Sequence, residues 1–178
     1  FDGVDVGSSS NIAFWDANND GLNDAFVGEY DGIINYFRNY GSADTPEFIQ
    51  VTSDENPFYL INVGSRSTIT FWDANGDGLA DAFVGEWDGN INYYRNDGNA
   101  GAPVFTEVTT DENPFDGVDV GSSSTITFWD ANGDGLDDAF VGEYYNTNYG
   151  AINYFRNTGI AGAPVFTEVT TDENPFDG

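Results

Sequence analysis

Cysteine, histidine, methionine and lysine are absent from this sequence, and each absence removes a class of function. Without cysteine the chain has no disulfide bonds and no thiolate site. Without histidine and cysteine it lacks the side chains that hold most Zn²⁺ ions. It also has no Ser–His or Cys–His pair and no lysine base, the groups on which nucleophilic catalysis commonly depends. We therefore expect a protein that is not an enzyme.

Positive charge is nearly as scarce. Four Lys and Arg residues together oppose 31 Asp and Glu residues, which gives a formal net charge of −27. A chain this acidic lacks the basic surface that nucleic-acid phosphates and anionic membranes attract, so we expect neither as a partner. No apolar run approaches the length of a membrane span, and no signal peptide is visible. Because the carboxylates repel one another in a compact fold, the chain requires counter-ions.

The chain consists of three similar units. The phrase Asn-Pro-Phe closes one unit and opens the next, so the units cover residues 1–57, 58–114 and 115–175, and residues 176–178 begin a fourth repeat. The third unit carries a four-residue hairpin insertion within residues 144–150, a contact point or a tolerated extension. With 16% aromatic residues the chain is too apolar to be a disordered acidic tail. We expect a segment of a longer array, or a ring closed by exchange of a terminal strand.

Each unit is predicted to form four short strands. In the second unit they cover residues 67–73, 82–87, 90–96 and 104–110, and Asp88-Gly89 favours a hairpin between the second and third strands. Apolar and aromatic residues occur on both faces of these strands, so we expect sheets that are covered on both sides, as stacked blades are. No segment of useful length has helical periodicity. The predicted fold class is therefore all-β, with one four-stranded sheet in each unit.

A nine-residue acidic loop follows the first strand of every unit. The three loops are DANNDGLND (16–24), DANGDGLAD (73–81) and DANGDGLDD (130–138). Oxygen-bearing side chains at loop positions 1, 3, 5 and 9, with Gly at position 6, allow a short loop to fold around a hard divalent cation. The glycine is expected to take a positive φ. Ordinary Asp-Gly turns are the alternative, but three complete copies of the loop at the same position of each unit favour three Ca²⁺ sites.

The proposed ligands are the side chains at positions 1, 3, 5 and 9 and the backbone carbonyl of position 7. They are Asp16, Asn18, Asp20, Leu22 and Asp24 in the first loop, Asp73, Asn75, Asp77, Leu79 and Asp81 in the second, and Asp130, Asn132, Asp134, Leu136 and Asp138 in the third. The loops are not EF-hands, because the bidentate Glu needed at position 12 is replaced by Val27, Val84 or Val141. Mg²⁺ fits less well than Ca²⁺, because it prefers to keep its waters.

The stretch FWDANGDGLADAFVGEWDGNINYYRNDG (71–98) resembles the FG-GAP or VCBS repeat family, whose repeats form β-propeller blades, including those of integrin α subunits. The resemblance covers essentially the whole chain and implies Ca²⁺ in the loop between the first two strands of each blade. Two features depart from the family. A tryptophan precedes each loop where smaller residues are usual, and three blades are fewer than the about four to eight of known propellers. Pairing of two copies as three plus three, a larger ring and a linear stack all remain open.

Three further residue types recur once per unit. An arginine and a glutamate stand on strands predicted to pair, which indicates a structural Arg–carboxylate pair rather than a catalytic one: Arg38, Arg95 and Arg156 with Glu29, Glu86 and Glu143. An aromatic residue follows each glutamate: Tyr30, Trp87 and Tyr144. We expect these rings to pack between blades, with stacking on a sugar as the alternative. Arg66 has no equivalent and is predicted to lie on the surface.

These features favour an extracellular or cell-surface module, stabilised by calcium, that is structural or adhesive. Its expected partners are copies of itself or neighbouring repeats of a longer chain. A carbohydrate-binding, lectin-like propeller with glycans as partners is the alternative. A glycoside-processing enzyme comes third, because carboxylates abound but none stands apart from the repeat pattern.

Overall fold

The computed structural model describes residues 4–144, 150–170 and 173–176, and these residues form twelve β-strands, four per unit. In the first unit the strands are β1 (Asn11–Trp15), β2 (Asp24–Gly28), β3 (Ile34–Asn39) and β4 (Phe48–Val51). In the second they are β5 (Thr68–Trp72), β6 (Asp81–Gly85), β7 (Ile91–Asn96) and β8 (Phe105–Val108). In the third they are β9 (Ser122–Trp129), β10 (Asp138–Tyr144), β11 (Gly150–Asn157) and β12 (Phe166–Glu168). The described residues include no helix long and apolar enough to span a membrane.

The twelve strands form three separate antiparallel sheets, in which each strand pairs with the next one along the chain. The prediction of three four-stranded, propeller-like blades is confirmed. The predicted hairpin at Asp88-Gly89 is also confirmed, since β6 pairs with β7 and Gly89 has a φ of 87°. In the third blade, pairing of Tyr144 with Gly150 extends β10 and β11. The predicted hairpin insertion itself falls mainly on residues 145–149, which lie outside the described residues.

The three blades pack face to face through aromatic side chains. At the first seam, between the blades of units 1 and 2, Trp15 stacks on Phe71 with ring centroids 4.7 Å apart. At the second seam, between units 2 and 3, Trp72 stacks on Phe128 at 4.4 Å. Trp15 and Trp72, which precede the first two acidic loops, are therefore packing residues that join successive blades.

The Asn-Pro-Phe phrase contributes the centre of each seam. Phe58 is fully buried at the first seam, where it stacks on Phe105 at 4.6 Å, and Phe115 stacks on Phe166 at 4.7 Å at the second. Full burial of one such side chain contributes about 1.5–3 kcal/mol. The middle blade has a seam on each side, and every residue of its strand β6 is buried, as is every residue of β2 in the first blade. This confirms that a blade is covered on both faces.

At one end of each seam the two backbones come unusually close. A Cβ added to Gly28 would collide with the Ser67 carbonyl, and one added to Gly85 would collide with the Ser124 carbonyl. Beside these glycines, the Glu86 amide donates a 3.0 Å hydrogen bond to Ser124 Oγ. Glycine is therefore required at these positions by the neighbouring blade, and not by its own backbone conformation.

Candidate metal centre

The acidic loops join the first two strands of each blade, and glycine shapes their backbone. At loop position 6, Gly21, Gly78 and Gly135 have φ values of 87°, 87° and 89°, as predicted. A Cβ at any of the three would meet no atom within 4 Å, so the requirement for glycine is conformational. Position 4 also has a positive φ, in Asn19 and in two glycines, Gly76 and Gly133. Asn tolerates this conformation better than most residues, which explains its presence there.

Side chains at positions 1, 3 and 5, which we call the rim, turn toward the inside of each loop. In the first loop the Asp20 amide donates to both Asp16 Oδ1 at 3.1 Å and Asn18 Oδ1 at 2.9 Å. In the third loop the Asp134 amide donates to Asp130 Oδ1 at 3.2 Å and Asn132 Oδ1 at 2.8 Å. Because two rim oxygens share one amide, they lie next to each other.

Position 9 is different, because its aspartate is fully buried beneath the loop. We call these residues the anchor aspartates: Asp24, Asp81 and Asp138. Asp81 Oδ1 accepts from the Asn96 amide at 2.8 Å. Its Oδ2 accepts from the Tyr93 hydroxyl at 3.0 Å and the Ala74 amide at 3.1 Å. The carboxylate thus fastens the acidic loop to the neighbouring strand β7.

The electrostatics of the anchor reflect this burial. Burial raises the pKa of the Asp24 and Asp81 carboxyls, and the donated hydrogen bonds oppose the rise. Burial also raises the pKa of the Tyr36 and Tyr93 hydroxyls, an effect that the neighbouring carboxylate increases. The tyrosines therefore stay protonated at neutral pH and donate to the aspartates.

A buried asparagine completes the anchor on its other side. Asn39 Oδ1 accepts from the Gly41 and Glu47 amides, both at 3.0 Å, and its Nδ2 donates to the Asn23 carbonyl. Asn96 and Asn157 make the corresponding bonds in the other blades. We did not predict these tyrosines and asparagines as part of the site. Their signal in the sequence is their recurrence in the phrase Asn-Tyr-X-Arg-Asn at one phase of the repeat.

The donors of each loop fit a hard cation, since all of them are carboxylate or amide oxygens. The structure brings position 3 to position 9, because Asn18 Nδ2 lies 3.4 Å from Asp24 Oδ2 and Asn132 Nδ2 lies 3.4 Å from Asp138 Oδ2. Among the described residues, however, no three acidic side chains are grouped closely enough to hold a metal by themselves. A bound ion would therefore depend on the asparagine oxygen at position 3 as well. The carbonyls of Leu22, Leu79 and Leu136 stay predicted ligands.

Comparison with known families covers the middle of the chain. Residues 73–141 match the model of the FG-GAP-like repeat, a segment that contains the second and third acidic loops completely. These residues belong to the FG-GAP-like repeat family. The resemblance predicted from the sequence is thereby confirmed. A search of curated proteins finds no match to the chain.

The predicted pairing of arginine with glutamate within each unit is wrong. Ala25 pairs with Phe37, so Arg38 stands at the loop end of the sheet and Glu29 at the hairpin end. Arg38 instead lies 3.9 Å from Asp20, a rim residue. Glu29 accepts from two amides of its own hairpin, those of Asp31 at 3.0 Å and Ile33 at 3.2 Å.

The other two arginines also pair outside the predicted partners. Arg95 bonds to Asp97 at 2.7 Å and to Glu112 at 3.3 Å, and Arg156 bonds to Glu173 at 2.9 Å. All of these pairs are substantially exposed, so each contributes at most about 1 kcal/mol. The arginines therefore occupy the loop end of the blades without serving as buried structural pairs.

Arg66, predicted to be a surface residue, lies between the aromatic residues of two units. Its guanidinium carbon is 3.8 Å from the Trp87 ring centroid and 5.6 Å from that of Tyr30. A cation over an aromatic face is attracted by the ring quadrupole. The packing interpretation of Tyr30 and Trp87 is therefore supported, with Arg66 as the group between them.

Proposed function

We propose that the protein is a calcium-stabilised structural and adhesive module, in which each FG-GAP-like unit holds one Ca²⁺ ion in its acidic loop. The observation that carries the proposal is the repeated geometry of the loop. In the first and third loops two rim oxygens meet at a shared amide above a buried anchor aspartate, and in the second loop the rim oxygens accept from neighbouring amides of the loop above the same kind of anchor. No catalytic role is part of the proposal.

The ion would act mainly on stability. The aspartates at positions 1, 5 and 9 of one loop repel one another, and a divalent cation removes that repulsion. A ligand that binds only the folded state at a hundredfold excess over its Kd adds about 2.7 kcal/mol per site. Since total stabilities of domains are about 5–15 kcal/mol, three such sites would decide whether the array stays folded.

The same chemistry supports an extracellular location. Loops that combine one buried ligand with half-buried or exposed side chains suit sites with weak, partly hydrated shells, which require Ca²⁺ near millimolar concentration. Fluids outside the cell supply that concentration. The chain's net charge of −27 also requires counter-ions at high concentration.

Chelation tests this function. We expect EGTA to lower the melting temperature by at least about 10 °C, because the loss of several kcal/mol shifts a domain of this size by about 2–4 °C per kcal/mol. Excess Ca²⁺ should restore the original melt, and Mg²⁺ at equal concentration should restore it only in part. A melt that is the same in EGTA and in millimolar Ca²⁺ would reject calcium stabilisation.

A carbohydrate-binding function is the second candidate, favoured by two equivalent clefts at the seams. The cleft at the first seam has a volume of about 350 Å³ and is lined by Asn18, Tyr36 and Arg38. The cleft at the second seam has a volume of about 370 Å³ and is lined by the corresponding Asn75, Tyr93 and Arg95. Mixed aromatic and hydrogen-bonding walls suit a sugar. A glycan array with Ca²⁺ present separates the candidates, because a scaffold gives no sugar-specific signal.

A further inference from the structure

We infer that the open face of the third blade binds the open face of the first blade of a second copy, so that copies of this chain associate head to tail. This rests on the proposed scaffold function and names its partner. We call the side of a blade turned toward the next unit its trailing face, and the side turned toward the preceding unit its leading face.

The trailing face of the third blade exposes the residues that are covered in the other two. Trp15 and Trp72 are stacked on the following blade, whereas Trp129 is 64% exposed. Ile152 is 43% exposed, although its equivalents Ile34 and Ile91 are buried. With Phe176, which packs edge-on against Phe140 and is 55% exposed, these side chains form one apolar patch. Contiguous exposed apolar surface of this kind marks an interaction site.

The leading face of the first blade exposes the complementary residues. Phe71 and Phe128 stack on the preceding tryptophan at the two seams, and their equivalent Phe14 is 52% exposed. Ile12 is 44% exposed, although Ile69 and Ile126 at the same position are buried. The first blade therefore offers the surface that covers a trailing face elsewhere in the chain.

Gly142 supplies an independent indication. The equivalent glycines Gly28 and Gly85 are required because the backbone of the next blade lies against them. At Gly142 a Cβ would meet only the Thr125 carbonyl at 4.0 Å, an ordinary contact, and the backbone φ is not positive. Nothing within the described part of its own blade requires glycine there. A blade docked as at the two seams would bring the backbone of Ser10, the equivalent of Ser67 and Ser124, against Gly142.

The two faces also match in a hydrogen bond between a tryptophan and a side-chain oxygen of the next blade. At the second seam the indole N–H of Trp72 donates to Asp137 Oδ2 of the next blade at 2.9 Å. Asn23 holds the place of Asp137 in the first unit and is exposed. In the head-to-tail contact the indole of Trp129 would find the Asn23 side-chain oxygen, so the polar group of this patch also has an acceptor in the second copy.

A second copy is the occupant that these observations favour, because the trailing and leading faces match each other residue by residue and already meet twice in one chain. Two faces that differ from each other make a heterologous contact, which builds rings where the rotation closes and filaments where it does not. The alternative of contact between two trailing faces would bring two exposed tryptophans together without the phenylalanine that each seam uses.

Sedimentation velocity over about 1–100 µM, which detects association with a Kd in the micromolar range or tighter, tests this association. We expect species at multiples of the 19.3 kDa chain mass. Gly142→Val should shift association to at least about tenfold higher concentration and leave the melting temperature of the dilute chain unchanged. Tyr59→Asp is the matched control, because Asp2 and Asp116 hold that position in the other units, and it should associate as the wild type does.

Two variants, each with one of the two faces disabled, test whether the contact joins a trailing face to a leading face. Phe14→Asp and Trp129→Asp should each be monomeric, because each loses one of the two faces. Mixed in equal amounts they should form a heterodimer of twice the 19.3 kDa chain mass, since the intact trailing face of one meets the intact leading face of the other. Circular dichroism confirms that each variant is folded, and Ile152→Asp replaces Trp129→Asp if that variant is not.

Three outcomes overturn the inference: a monomeric wild type throughout the range, unchanged association of Gly142→Val, or assembly of Phe14→Asp alone to the wild-type extent. If the wild type is monomeric, the partner of the trailing face would be another repeat of a longer chain. Melting curves in Ca²⁺ and in EGTA report on the loops separately. A failure of the proposed calcium stabilisation is therefore distinguishable from a failure of the head-to-tail association.

Discussion

Aspartates occur in two environments within the same nine-residue loop. The anchor at position 9 is fully buried and accepts hydrogen bonds from a tyrosine and from backbone amides. The rim at positions 1, 3 and 5 is half-buried or exposed, and in the second loop it accepts from amides of the loop itself and from one side-chain amide of the rim. The difference indicates a division of roles, in which the anchor stabilises the fold in addition to binding the ion, whereas the rim acts mainly on the ion.

Removing an anchor should have the largest effect. Asp81→Ala leaves the Tyr93 hydroxyl and the Asn96 amide buried without an acceptor, and each unsatisfied buried group costs about 1–3 kcal/mol. We expect a loss of about 3 kcal/mol in the free energy of unfolding, measured by urea denaturation. A similar loss should appear in EGTA, because it arises from the protein's own hydrogen bonds.

The matched control for this anchor variant is Asp77→Ala on the rim of the same loop. Its carboxylate accepts from the Leu79 amide and the Asn75 side chain at an exposed site, so in EGTA its loss should be under about 1 kcal/mol. Equal losses for the two variants in EGTA would contradict the division between anchor and rim.

A substitution in the backbone turn of the loop should cost about 1 kcal/mol in the free energy of unfolding. Gly135→Ala forces a Cβ into a φ of 89° without any steric contact, so the cost is conformational. Gly135→Asn should recover part of the loss, because Asn tolerates positive φ better. Thermal melts in EGTA measure both variants, and a stabilising Gly135→Ala would contradict the loop geometry.

A contact outside the loops should give the smallest effect. Arg66→Ser introduces the residue that the other two units carry at this position, Ser9 and Ser123. All three have φ near 55°, so the backbone is unaffected, and the variant loses only the cation–π contacts with Trp87 and Tyr30. We expect about 0.5–1 kcal/mol from denaturant midpoints, with no dependence on Ca²⁺. A Ca²⁺-dependent change would connect this region to the loops and weaken the comparison.

Local patterns carried most of the fold prediction. The strands of the second unit lie within about two residues of their predicted limits, because alternation and the Asp-Gly turn act over a few residues. The positive φ at Gly78 likewise follows from the loop motif. The Arg–Glu pairing failed because it depends on strand register, which puts Arg95 and Glu86 at opposite ends of the sheet.

Contacts between blades were harder to predict. Arg66 lies between Tyr30 and Trp87 only because two units stack. The sequence of the second unit alone therefore does not predict this contact. The bond from Tyr93 to Asp81 joins residues on paired strands, and a buried tyrosine next to a carboxylate has no local signature. Recurrence of both residues at a constant spacing was the available signal.

Equilibrium dialysis against millimolar Ca²⁺ counts the bound ions without reference to stability, and so asks whether each loop holds one. We predict one ion per loop, hence about three per chain, and about two for Asp77→Ala. Binding of no more Ca²⁺ than a chain of equal charge collects nonspecifically, or an unchanged count in Asp77→Ala, would contradict the account.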